Sequence, residues 1–137
     1  MDVPRGAIRN REFAAQLRDY SGLRYGKITP TDYDLVIEYH NICWIYCELK
    51  YENAAVQYGQ RLAIERQCDD MQKVKPTVFF IASHNSSGDI DAASAVVTEY
   101  RYKGRWRQFP EPKTVKQAID SFIKHVETER LAEKGLP

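Results

Sequence analysis

The chain has 137 residues, 43% hydrophobic and 28% charged, with a formal net charge of +1. That length suits one domain with a moderate core, spanning 1–137, and the near-zero charge excludes an overall basic field, so any surface for a polyanion has to be local. No apolar run approaches 18 residues and no signal peptide is read at the start, which argues against a membrane partner and against secretion. Cys43 and Cys47 are four residues apart in one expected strand, roughly 13 Å at strand rise and too far for a disulfide. With Cys68 they make an odd, mid-element set that fits a reducing, cytoplasmic compartment.

The first expected element is a helix from Asn10 to Tyr20. Asn10 can cap it, Glu12 suits its positive end, Phe13, Leu17 and Tyr20 share a stripe, and Gly22 can stop it. From Tyr25 to Lys50 the pattern is β, interrupted at Thr29-Pro30-Thr31, where Pro30 cannot donate to a ladder. Tyr33 to Tyr39 and Ile42 to Leu49 read as a hairpin around His40-Asn41. A two-residue loop there would pair Asp34 with Cys47 and put Asp34 on the face opposite Glu48. An odd loop or a bulge is therefore expected if the two acids are to cooperate.

Glu52 to Tyr58 reads as a polar connection, followed by a helix from Gly59 to about Lys73 whose buried face carries Gln60, Ile64, Cys68 and Met71. Thr77 to Ser83 is a continuous apolar strand, covered on both faces, so the helix before it is a crossover in a partly parallel sheet. His84 to Asp91 is a polar loop. Ala93 to Tyr102 and Arg105 to Phe109 are strands about a Lys103-Gly104 turn. Thr114 and Gln117 form a capping box for a last helix, about 114–134, with Val115, Ala118, Ile119, Phe122, Ile123 and Val126 as its stripe. The order is α-β-β-β-α-β-β-α, an α/β (α+β) fold with a mixed central sheet flanked by helices.

The second hairpin strand, otherwise apolar, ends Glu48-Leu49-Lys50, and thirteen residues separate Asp34 from Glu48. Glu48 and Lys50 point to one face. Charges are costly to bury unless paired or bound to a metal. Two carboxylates from adjacent strands suit magnesium or manganese, and a lysine beside them can orient a water or stabilise charge developing on a phosphate. An edge hairpin with Glu48 and Lys50 merely paired in solvent is the competing reading. A hydrolase acting on sugars through Asp34 and Glu48 leaves Lys50 without a role.

The Asp–thirteen residues–Glu-Leu-Lys arrangement, with Gly59-Gln60 opening the next helix, resembles the PD-(D/E)XK nuclease superfamily. The likeness covers about residues 10–84 and is greatest to small phage nucleases and Holliday junction resolvase-like members. It implies a restriction-endonuclease-like αβββαβ core within residues 10–103. By position it makes Asp34, Glu48 and the Leu49 backbone carbonyl metal ligands for Mg2+ or Mn2+, Lys50 the catalytic lysine and Gln60 a supporting residue. Asp32 and Glu12 are further candidate ligands. Pro30 stands earlier than the family's proline, so Asp32 and Asp34 compete for the role of motif acid. The resemblance further implies DNA as substrate, a homodimer, and the cytoplasm of a bacterium or of a phage host. A nucleic-acid-binding module of the same fold without catalysis is the alternative.

Residues 100–107 read Tyr-Arg-Tyr-Lys-Gly-Arg-Trp-Arg. Arg101, Lys103, Arg105 and Arg107 alternate with aromatics, a composition suited to binding phosphates and stacking on bases. An edge hairpin kept soluble by charge would look the same. His40, His84 and His125 lack zinc-ligand spacing, Asp89 and Asp91 only faintly resemble a calcium loop, and no Gly-rich phosphate loop points to a nucleotide cofactor.

Overall fold

The computed structural model describes residues 7, 19, 21–52 and 54–135. The chain divides into two compact units, Met1–Thr31 and Asp32–Pro137, a division that the sequence did not signal. The helix expected over 10–20, and with it Glu12, lies outside the described residues apart from Asp19. In the first unit, Tyr25 and Ile28 exchange backbone hydrogen bonds of 2.8 and 3.0 Å across a turn in which Gly26 has φ 66°. This isolated bridge stands where a strand ahead of the hairpin was expected, and the ββ in front of Glu48 is not preceded by a third strand among the described residues. The first strand of the expected αβββαβ core is corrected accordingly. Its physical reason is Gly26 together with Pro30, which turn the chain and remove a ladder donor.

The second unit is α+β. Its strands are β1 (Leu35–Tyr39), β2 (Cys43–Tyr51), β3 (Thr77–His84), β4 (Val96–Tyr102) and β5 (Arg105–Arg107). Helix α1 (Tyr58–Gln72) joins β2 to β3, and α2 (Val115–Glu133) closes the unit. The sheet order is β1-β2-β3-β4-β5. β2 and β3 are parallel and every other neighbouring pair is antiparallel, so α1 is the crossover that the continuous apolar run of β3 implied.

Alternation sorts the core into two layers. Cys43, Ile45, Cys47, Val78, Phe80 and Ala82 point to α2 and meet Ala118, Phe122 and Val126. Tyr46, Phe79 and Ile81 point the other way and meet Ile64 and Cys68 of α1. Phe79 and Phe80 are fully buried on opposite faces, each contributing about 1.5–3 kcal/mol relative to exposure. Thr114 accepts the Gln117 N–H and the Gln117 side chain accepts the Thr114 N–H, so α2 begins with the expected capping box.

Two turns set the register of the strands on either side of them. Tyr39 pairs with Cys43, leaving the three-residue loop His40-Asn41-Ile42, in which His40 and Asn41 take φ 48° and 60°. The odd loop length expected from Asp34 and Glu48 is thus present. Lys103 and Gly104 form a two-residue turn with φ 49° and 76°, the left-handed pair that suits a tight hairpin. The strand expected from Ala93 begins only at Val96. A 3-10 turn over Ala92–Ser94 precedes it, capped by the Asp91 carboxylate, which accepts from the Ala93 N–H. Between β3 and β4 the register shifts at Ile81/Ala82, with Ile81 opposite Glu99 and Ala82 opposite Val97. Thr98 is the extra residue, and its hydroxyl donates to the Ile81 carbonyl.

Candidate active site

The end of the β1–β2 hairpin gathers the charged residues. Leu35 faces Cys47 in the last pair of the ladder, and Asp34 lies in the bend just ahead of it, close enough for its charge to act on Glu48. Glu48 shares the α1 face of β2 with Tyr46, and Gln60, in the first turn of α1, makes a polar contact with its carboxylate. The Lys50 Nζ lies 3.6 Å from Glu48 Oε1. Asp34, just ahead of β1, accepts the Leu49 N–H through Oδ2 at 2.7 Å. The hydrogen bond ties the two strands together beyond the last paired residues. In an extended strand the N–H and C=O of one residue point to the same edge, so the Leu49 carbonyl faces the side on which Asp34 sits.

Glu48 is only 6% exposed, and its Oε2 is buried without a hydrogen-bond partner. An ionised carboxylate oxygen left in this state is costly. Burial, and then the neighbouring charge of Asp34, push the Glu48 carboxyl above the ordinary carboxylate range. The polar contact of Gln60 and the charge of Lys50 pull it back, and Asp32 adds a smaller push. Asp32 ranks below Asp34 in this field, which favours Asp34 as the acid that works with Glu48. The structure thus brings Asp34, Glu48, Lys50 and Gln60 together, with Asp32 more distantly coupled. Glu12 lies outside the described residues.

A cation would relieve the unpartnered oxygen and the repulsion between Glu48 and Asp34 at once. No group of three or more His, Cys, Asp or Glu able to hold a metal occurs among the described residues. An ion at this site would rest on two carboxylates, a backbone carbonyl and waters. Such a donor set is all oxygen and suits magnesium, which keeps several waters and is often held by one or two carboxylates.

The basic hairpin of β4 and β5 is not one surface. Pairing of Arg101 with Trp106 puts both on the α1 face, whereas Tyr100 with Arg107 and Tyr102 with Arg105 belong to the α2 face. The Arg101 side chain is 13% exposed and grips Asp69 with bonds of 3.0 and 2.6 Å. Lys103 pairs with Glu129 at 3.7 Å, and Arg107 Nε donates to the Tyr102 carbonyl. Arg105 is exposed. Of the four candidate nucleic-acid-binding cations, Arg105 is exposed, Lys103 is exposed and paired with Glu129, and Arg101 and Arg107 are engaged on opposite faces. Strand alternation is the reason, because the two-residue turn pairs odd with even positions.

Several residues that matter on the α1 face were missed. Arg61 forms a bidentate pair with Glu99 at 2.6 and 3.2 Å and lies over the Trp106 ring at 4.1 Å. Trp106 Nε1 donates to Glu65. Arg61, Glu65 and Asp69 recur every four positions on α1, a polar row beside the apolar one, and that spacing could have located them.

Comparison with protein-family models, with curated proteins and with solved structures finds no match to this chain.

Proposed function

We propose that the protein is a metal-dependent nuclease of the PD-(D/E)XK type, hydrolysing phosphodiester bonds of DNA with Mg2+ or Mn2+. The observation that carries this reading is the buried Glu48 carboxylate, with one oxygen unpartnered, set between Asp34 and Lys50. A stability-driven core would neutralise that group or replace it. The family likeness rests on Asp34, on Glu48-Leu49-Lys50 and on Gln60, and not on the elements ahead of Asp34.

Asp34, Glu48 and the Leu49 carbonyl would hold the ion. When bound, the ion supplies a polarised phosphoryl oxygen and a water acidified toward neutral pH. Lys50 then has two jobs for which its amine is suited. It orients the attacking water, and it stabilises the charge that grows on the phosphate oxygens. Gln60 holds the Glu48 carboxylate in position. Asp34 also secures the strand end through the Leu49 N–H, so the ligand and the hairpin are positioned by one side chain. A homodimer, which cutting both strands of a duplex or junction would call for, and a cytoplasmic setting belong to the same proposal. Among the described residues no helix is long and apolar enough to cross a membrane.

One observation favours a non-catalytic nucleic-acid module instead: Lys50 already pairs with Glu48, so the charges partly satisfy each other without an ion. The two readings part on product formation. The purified protein is incubated with Mg2+ or Mn2+ and linear, circular, single-stranded and four-way DNA. Cleavage by the wild type should fall by about a thousandfold in Glu48→Ala and in Lys50→Ala, roughly 4 kcal/mol of transition-state stabilisation. Undiminished metal-dependent cleavage in both variants overturns the assignment.

A further inference from the structure

A cleft of about 470 Å³ opens beside the candidate site. It lies where the parallel strands β2 and β3 end, the position at which open α/β sheets bind their ligands. Lys50 is paired with Ser83 in the β2–β3 ladder, so their side chains stand together on one face about 5 Å apart at the backbone. Ser83 lines the cleft. His84, Asn85, Ile90, Val96 and Thr98 line it as well. Its size falls within the range of about 300–1,000 Å³ typical of small-molecule sites.

The lining has a polarity of its own. Three hydroxyls are committed to backbone carbonyls: Ser83 to Glu52, Ser86 to Asp89, and Thr98 to Ile81. His84 is different. Its Nδ1 accepts the Ser86 N–H at 3.2 Å, which leaves the proton of the neutral ring on Nε2 as a donor. Its ring is also steadied by an edge contact with Tyr51, 5.7 Å between centroids. Ile90 and Val96 are 45% and 42% exposed, apolar surface at the wall of a polar cleft. Asp91 lines the cleft too, its carboxylate accepting from the Ala93 N–H and the Ser94 hydroxyl. That negative charge disfavours a phosphate beside it. The neighbourhood of Lys50 and His84 favours one.

We infer that this cleft receives the nucleoside next to the scissile phosphate, its base against Ile90 and Val96, with His84 Nε2 donating to the phosphate side. The inference rests on the nuclease reading and names its substrate: a strand with an unpaired nucleotide at the cut, as in a single strand or an overhanging end. A base that is still stacked and paired in continuous duplex has to be extruded before it can lie in the cleft. The engaged state of Arg101 agrees, because its guanidinium is largely buried against Asp69 and is not free to clamp a duplex. His84 is here a positioning residue.

Two measurements test this. The first is metal-free binding of a fluorescent dinucleotide in EDTA by the wild type, His84→Ala, His84→Gln and Val96→Trp. Binding should weaken about fivefold in His84→Ala, recover in His84→Gln, which keeps a donor, and vanish in Val96→Trp, which fills the cleft. The second is cleavage with Mn2+ of one sequence as a single strand, an overhanging duplex and a closed circular duplex. The unpaired substrates should be cut about tenfold faster or more, and His84→Ala should raise KM with kcat little changed. Wild-type binding unaffected by Val96→Trp, or equal cutting of the closed circle, overturns the inference even if the protein is a nuclease. Dinucleotide binding lost in Val96→Trp, in a protein that cuts nothing, keeps the cleft and overturns the nuclease.

Discussion

The α1 face of the sheet carries two charged clusters that treat their charges in opposite ways. Across β4 and β5, Arg61 is paired with Glu99, Arg101 with Asp69, and Trp106 with Glu65, with bond lengths from 2.6 to 3.2 Å. At the end of β1 and β2, Glu48 keeps an unpartnered oxygen, and Lys50 sits 3.6 Å from the other. Both clusters are partly buried and both contain a cation beside a carboxylate. The first commits its polar groups to one another and holds α1 to the sheet. The second leaves one carboxylate oxygen in a fixed place without a hydrogen-bond partner. Buried charge by itself therefore says little, and whether its hydrogen bonds are complete says a great deal.

The largest expected effect separates the clusters by function. Lys50→Ala and Glu48→Ala should remove metal-dependent cleavage while the far-ultraviolet circular dichroism stays that of the wild type. Arg101→Ala should do the reverse. It leaves Asp69 without its partner and opens space beside Trp106, costing about 1–3 kcal/mol in urea unfolding, a range that allows for the exposure of Asp69. Cleavage per folded molecule should stay within about twofold of the wild type, since Arg101 contributes to packing rather than to chemistry. A stable Arg101→Ala variant with lost DNA affinity would reverse the comparison and return the basic hairpin to the binding surface.

A smaller effect concerns Glu48 alone. Its carboxyl titrates above the ordinary range because burial and Asp34 oppose its charge. The unfolded chain holds it at the ordinary value. Between these two values the folded state binds more protons, so the group favours folding at low pH and disfavours it as pH rises through its folded value. Glu48→Gln should therefore raise the metal-free Tm by a few degrees at pH 7, with the difference shrinking as the pH falls into the carboxylate range. Mg2+ should raise the wild-type Tm and leave that of Glu48→Gln unchanged. An identical metal response in both would remove Glu48 from the ligand set.

One side of this contrast was legible in the sequence, and the reasons are specific. Glu48-Leu49-Lys50 breaks an apolar strand with charge, and a period of two fixes which side chains share a face. The need to bring Asp34 to Glu48 demanded an odd loop, which the His40-Asn41-Ile42 turn provides. The apolar run of β3 implied cover on both faces, and α1 and α2 supply it. How the basic hairpin divides between the two faces was hidden because composition does not carry register. Only once the Lys103-Gly104 turn is fixed do Arg101 and Arg107 fall on opposite faces. The ion pairs of α1 were hidden because Arg61, Glu65 and Asp69 read as an ordinary solvated helix row until β4 and β5 are laid against them. The bridge at Tyr25 and Ile28 was hidden by β-favouring residues around a glycine with φ 66°, where local turn geometry prevails over strand propensity.

The smallest effect decides between two neighbouring acids. Either Asp34 or Asp32 could be the motif acid, Asp34 being preferred for its spacing to Glu48, and the structure separates them by what each touches. Asp34 accepts the Leu49 N–H at 2.7 Å and is the largest charged influence on Glu48; Asp32 is the least of the influences on it. Asp34→Asn keeps an oxygen that can accept from Leu49, so the hairpin end should survive while the ligand charge is lost. Cleavage should then fall by about a hundredfold or more, with stability nearly unchanged. The same change removes repulsion from Glu48, whose carboxyl should titrate nearer the ordinary range, visible by carbon-13 NMR of its side chain. Asp32→Asn should change cleavage by no more than about threefold, the size expected for a charge that acts at a distance through water. A large loss in Asp32→Asn beside a mild one in Asp34→Asn would exchange the two assignments. It would mean that the hydrogen bond to Leu49 marks Asp34 as a strand-end lock alone, and that the ion is drawn toward the residue nearer Pro30.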